Sequence, residues 1–180
     1  DKILAIKTIT IEGDGTNANL GQDMTMEASG QQFAVSGYRR VIDAANLRSR
    51  TEQTRTPNFA YFQGPQPQRQ VFGIADDVAY NLAANGTVTR ASNAVARDRT
   101  VEIYHHPLTI VGAALDPAAK LTNAHAAGSE RVVDLETKAG QKFTLAVDAQ
   151  SNLPTRVVSM TDNPNLGDVA IETSFADYQQ

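Results

Sequence analysis

Between Glu130 and Tyr178 the chain alternates apolar and polar residues in short runs. This period of two constrains the fold more than any other feature. Arg131–Glu136 leads into the turn Thr137-Lys138-Ala139-Gly140, and Lys142–Asp148 follows with Phe143, Leu145 and Val147 on one face. The polar turn Ala149-Gln150-Ser151-Asn152 precedes Leu153-Pro154, and Thr155–Met160 runs to a second polar turn, Asp162-Asn163-Pro164-Asn165. Beyond it Val169, Ile171, Thr173 and Phe175 alternate again. Runs of this length, broken at Gly, Pro, Asn and Asp, predict an antiparallel meander over about 130–178 with one buried face. It is a scaffold signal, and no catalytic motif lies in it.

The preceding chain supplies more strands. Ile9 and Ile11 alternate with Thr8, Thr10 and Glu12, a half-buried strand that Gly13-Asp14-Gly15-Thr16-Asn17 interrupts as a bulge or bend. Asn19 to Gln32 reads as a loop, Phe33 to Arg55 as the longest β-like stretch, and Thr56 to Gln68, with Pro57, Gly64, Pro65 and Pro67, as a wide turn. Short strands follow at Arg69–Ile74 and Asp77–Ala83. Asn85-Gly86 between Leu82 and Val88 predicts a type I′ hairpin turn, both of whose central residues take positive φ. Asn85-Gly86-Thr87 also matches the glycosylation sequon, although the turn accounts for these residues without it.

Ala91 to Ala124 changes to helical spacing, with Val101, Tyr104, Leu108 and Val111 on one stripe. Ser92 or Asn93 caps its start. Pro107 forces a kink or restart after His106, and Asp116-Pro117 predicts a second restart. His125 to Ser129 then returns the chain to the sheet. The order of strands, one broken helical lid over about 92–124 and a meander predicts an α+β fold in a single domain, residues 1–180. In it a broken helix covers a curved antiparallel sheet.

Composition excludes several chemistries. The absence of Cys removes disulfides, thiolate catalysis and Cys-based zinc sites. A net charge of −4 argues against a nucleic-acid partner. No apolar run reaches the ~18 residues of a spanning helix. The start at Asp1, without Met, is what a removed signal peptide or an excised domain gives.

Arg39, Arg40, Arg48, Arg50, Arg55 and Arg69 face only Asp43 and Glu52 nearby in sequence, so they form either an anion-facing strand pair or a solvated outer face. The solvated face is the expectation, as charge runs usually mark one. Adjacent His105 and His106 diverge on any regular element, and His125 is the only other histidine, so no metal site is expected. One of the pair is assigned a helix-cap or surface role. Gly13-Asp14-Gly15 is too short for a phosphate loop, and Asp76-Asp77 falls at a strand start or turn, where acids are common for backbone reasons. No catalytic residue and no cofactor is assigned. A sheet lidded by a broken helix leaves room for an apolar cavity. Tyr38, Phe72, Tyr80, Tyr104, Leu108, Val111, Phe143, Leu145 and Val157 are its candidate liners, against the plainer reading of all nine as core.

The pattern Gly140…Phe143-Thr144-Leu145…Val147-Asp148…Leu153-Pro154-x-Arg156-Val157 with Phe175-x-Asp177-Tyr178 resembles the LolA-like fold of outer-membrane lipoprotein sorting and carriage. In that fold helices lid a half-open antiparallel barrel. Ile9-x-Ile11-x-Gly13-x-Gly15 with Gly21-Gln22, Ile42-Asp43 with Arg48, and Arg99…Glu102-Ile103-Tyr104-His105-His106-Pro107 are similar to the N-terminal domain of some bacterial metallo-β-lactamase-fold hydrolases. The hydrolase signature His-x-His-x-Asp-His is absent, so the resemblance implies a hydrolase domain following Gln180 and no catalysis by this chain alone. It implies a bacterial, periplasmic or otherwise exported domain. That domain binds an apolar or lipid-like ligand, or serves a covalently following hydrolase domain. The alternatives are a free-standing carrier of lipid or lipoprotein acyl chains, and a small hydrolase with an unrecognised site.

Overall fold

A computed structural model of the chain describes residues 3–19, 30–59, 66–163 and 166–179. Gly21 and Gln22, in the loop expected between Asn19 and Gln32, lie outside the described residues, as do Gly64, Pro65, Pro164 and Asn165. Within the described residues the chain contains a 3-10 turn at Ile3–Ala5, eleven strands and two helices. The strands are β1 (Thr8–Asn19), β2 (Gln31–Asp43), β3 (Arg48–Pro57), β4 (Gln68–Ala75), β5 (Val78–Leu82) and β6 (Val88–Arg90), then β7 (Lys120–Ala127), β8 (Glu130–Glu136), β9 (Lys142–Asp148), β10 (Pro154–Asn163) and β11 (Gly167–Ser174). Between the two groups come α1 (Asn93–Ile103) and α2 (Pro107–Ala114).

Every pairing is antiparallel between neighbours in sequence. The predicted antiparallel order is therefore met, but the strands divide between two sheets: β1 to β6 in one, β7 to β11 in the other. The chain's internal contacts divide it in the same way. One compact unit is Lys7–Thr100; the other is Val101–Gln180 together with Asp1–Ile6. The division falls within α1.

The first unit is shaped by local irregularities. The register slips between Gly13 and Gly15 on β1 and between Ser36 and Arg39 across β2 and β3. Asp14 Oδ1 accepts from the Gly37 N–H at 2.7 Å, and Gly37 has φ +58. The Gly13-Asp14-Gly15 segment is thus the expected bulge, yet the strand continues through it to Asn19. The β-like stretch from Phe33 to Arg55 is a hairpin of β2 and β3. Asp43 caps its turn by accepting from Ala45 and Asn46, and Leu47 takes φ 52. Ala79 and Ile74 are fully enclosed, and Gly73 leaves room for the Tyr80 ring, whose hydroxyl stands 2.6 Å from where a Cβ would be.

One turn differs from expectation. Asn85-Gly86 is not type I′, since only Gly86 has positive φ. The Gly86 N–H donates to Ala83 O and the Ala83 N–H to Thr87 O, so a type I turn ends in a left-handed glycine bulge. The turn with two positive φ values is Asp76-Asp77, at 49 and 65, closing Ala75 against Val78. Asp76 is held there by Arg48.

Ser92 caps α1, its Oγ accepting from the Val95 N–H at 3.3 Å. His106 caps α2, its Nδ1 accepting from the Leu108 N–H, with Pro107 at the first helical position. The expected cap role and restart are both present. The lid is shorter than the predicted 92–124. Asp116-Pro117 begins a single turn, with Asp116 accepting from the N–H groups of Ala118 and Ala119, and no third helix. The chain then enters β7, where Leu121 pairs with Leu135 and Lys120 with Glu136.

In the second unit one sheet face carries most of the core. Leu135, Phe143, Leu145 and Val157 are buried there, with Val133, Leu145 and Val157 in one cross-strand row. The other face carries Thr122, Asp134 and Thr144 in register, beside the buried cross-strand pair Val132 and Ala146. No helix among the described residues is long and apolar enough to cross a membrane.

Candidate functional site

The helical residues cover only part of the apolar face of the second sheet. Tyr104, 4% exposed, lies 5.3 Å from the Phe143 ring, and burial together with the nearby Asp116 carboxylate raises its phenol pKa. His105 bridges two strands: Nε2 is 2.8 Å from Ser159 Oγ and Nδ1 is 2.9 Å from Thr173 Oγ1. Each hydroxyl can give or take a proton, so either tautomer fits. These contacts sit on β9, β10 and β11.

Toward β7 the same face is open. Ala126 pairs with Arg131, Arg131 with Val147, and Val133 with Leu145, so these side chains share a face. With Ala124, His125 and Val132 they line a groove of about 420 Å³. Leu145 is buried at its floor, Val133 and Val147 are half-buried, and both alanines on the edge strand β7 are exposed. The geometry follows from the sequence. Alternation sends Val133, Leu145 and Val147 to one side, and the small side chains of β7 leave the space above them unfilled.

Arg131 stands at the rim, donating to Ala149 O at 2.8 Å and to Asn152 Oδ1 at 3.3 Å. Both acceptors belong to the turn after β9. The Asp148 carboxylate nearby is held below its ordinary pKa, chiefly by donation from Ser151 and in part by the Arg131 charge.

Of the nine liners expected from sequence, Leu145 lines this groove. Phe143 and Val157 are buried elsewhere on the same face, with Tyr104 against Phe143. Leu108 and Val111 are half-buried on α2. Tyr38, Phe72 and Tyr80 belong to the first unit. There Arg99 lies 4.8 Å over the Phe72 ring and donates to the carbonyls of Gly73 and Tyr80. Tyr38 pairs with Gly13.

The arginine-rich stretch is an ion-paired face rather than an anion site: Arg39 pairs with Glu12, Arg48 with Asp76, and Arg50 and Arg69 with Glu52. Arg55 lies over Phe33 and donates to Asn17 and Asn19, while Arg40 is buried. The three histidines do separate work, since His125 Nδ1 donates to Asn123 O at 2.8 Å. Among the described residues no three His, Asp or Glu side chains converge.

Ser159, His105 and Thr173 superficially follow a nucleophile, base and orienter. Ser159 is only 4% exposed, however, and the third group is a neutral hydroxyl that cannot stabilise an imidazolium as a carboxylate would. The arrangement is a structural bridge.

Ala124, Ala126, Arg131, Val133 and Val147 were not foreseen as liners. The alternation of Arg131, Val133 and Leu135 is plain in the sequence, but the alanines of β7 carry no period: Ala124 ends the expected helical stretch and Ala126 falls in the return to the sheet. No protein-family model, curated protein or solved structure matches the chain.

Proposed function

We propose that the chain is a non-catalytic binding domain that takes an apolar, acyl-chain-like ligand into the groove between β7, β8 and β9. The observation that carries this reading is an open groove of about 420 Å³ walled by Ala124, Ala126, Val133, Leu145 and Val147. Small-molecule sites run to roughly 300–1,000 Å³ and are mostly apolar with a few polar groups at the edge. Burial of each methylene contributes up to about 0.8 kcal/mol, so even a partly enclosed chain binds measurably. The sequence's resemblance to the LolA-like fold, in which helices lid a half-open antiparallel barrel, supports the same reading. An exported bacterial carrier, or an accessory domain ahead of a metallo-hydrolase domain, would use such a groove.

The experiment is titration of an environment-sensitive apolar fluorophore, displaced by dodecanol, into the parent chain and the Ala126→Phe variant. Ala126 is exposed on an edge strand, so the larger ring fills the groove without disturbing the core. The expected result is saturable binding that falls at least tenfold in the variant. Equal binding by both proteins would remove the groove as the site.

A further inference from the structure

We infer that the groove's occupant is a single-chain amphiphile with an anionic head, received by Arg131 at the rim. This rests on the reading of the groove as an apolar site and names its ligand class. Arg131 lies between Ala126 and Val147 in the cross-strand row, so the cation belongs to the same face as the apolar wall. Its guanidinium is positioned by two neutral acceptors of one turn, Ala149 O and Asn152 Oδ1. A guanidinium has five N–H donors in a planar fork, so donors remain for a carboxylate or a phosphate monoester.

Arg131 differs from five other arginines of the sheets, though not from Arg55 and Arg90, which also donate to asparagine side chains. Arg39, Arg48, Arg50, Arg69 and Arg156 lie in ion pairs with carboxylates. Among the described residues no carboxylate lies within ion-pair distance of Arg131, and Ala149 O and Asn152 Oδ1 are both neutral. Asp148 tempers the local field, but its Oδ1 is occupied by the Ser151 N–H, the Ser151 hydroxyl and the Gln150 N–H. Discrimination between heads therefore comes from directed donors on an exposed cation, and its expected size is modest.

The test uses dodecanoate, dodecyl phosphate and dodecanol below their aggregation limits, with the parent chain, Arg131→Met, Arg131→Lys and Asn152→Ala. The parent is expected to bind at least one of the anions about three- to fivefold more tightly than the alcohol, the range of an exposed charge contact. A preference for dodecanoate alone identifies a carboxylate head, and one for dodecyl phosphate alone a phosphate head. The preference of anion over alcohol, measured within each protein, should vanish in Arg131→Met and persist in Arg131→Lys and Asn152→Ala. Equal affinity for alcohol and both anions in the parent, or a preference that survives Arg131→Met, overturns the inference while leaving the groove intact. No binding by any of the three compounds overturns the groove itself, and the inference with it.

Discussion

Replacing His105 by alanine should loosen the second sheet by about 3 kcal/mol, summed from the contacts it makes. The largest part comes from Ser159, which is 4% exposed: its hydroxyl loses the imidazole and no bulk water replaces it. An orphaned buried hydroxyl costs about 1–3 kcal/mol. Thr173 is half-exposed, so water recovers most of its contact, and about 0.5 kcal/mol is lost there. Loss of the ring 6.1 Å from Phe143 adds about 0.5–1 kcal/mol. Amide exchange of β9 and β10 reads this unit directly, and 3 kcal/mol corresponds to roughly a hundredfold faster exchange. Adding Ser159→Ala to the variant removes the orphan and should recover about 1–2 kcal/mol. Exchange within threefold of the parent, or a further loss on adding Ser159→Ala, would refute the bridge as the source of stability.

Other perturbations test other parts of the structure. Gly73→Ala should destabilise the first unit by at least about 1–3 kcal/mol by denaturant midpoint, because the new methyl meets the Ser49 carbonyl and lies 2.8 Å from Tyr80 Cζ. Asp77→Gly should stabilise the β4–β5 hairpin by up to about 1 kcal/mol, as φ 65 favours glycine; unchanged or lower stability would count against strain at that residue. Thr155 and Arg156 hold Glu130 below its ordinary value of 4.5. The folded pKa is therefore the lower one, and this stabilisation is full above about pH 4.5 and fades as pH falls through the folded value. Denaturation midpoints of the parent should drop more steeply than those of Glu130→Gln in that acidic window.

Much of the scaffold was legible because backbone requirements leave plain marks. Ser92 before α1, His106-Pro107 before α2 and the glycines around Asp14 each announce a local geometry, and each is found. The hairpin signals misled where two solutions compete. Asn85-Gly86 accommodates a type I turn with a bulge as readily as type I′, whereas Asp76-Asp77 adopts the strained pair of φ values without any glycine. Its ion pair with Arg48, distant in sequence, was not visible in the local pattern.

The groove was the least legible feature. A cavity arises where side chains are too small to fill space, and alanines on an edge strand give neither period nor charge to mark it. The expected liners are all bulky, aromatic or branched; Leu145 alone of them lines the groove, and Tyr104 and Phe143 use each other as packing partners. Pairing of β7 with β8 brings Ala126 to Arg131, a relation that depends on the register slip between Thr122 and His125.

The most direct measurement is a methyl-resolved NMR titration of the chain with dodecanol. Methyl groups of Ala124, Ala126, Val133, Leu145 and Val147 should shift together along one saturable curve, with Leu108 and Val111 on α2 little changed. Shifts concentrated on α2 or in the first unit, or no saturable shift at all, would contradict the groove between β7, β8 and β9 as a binding site.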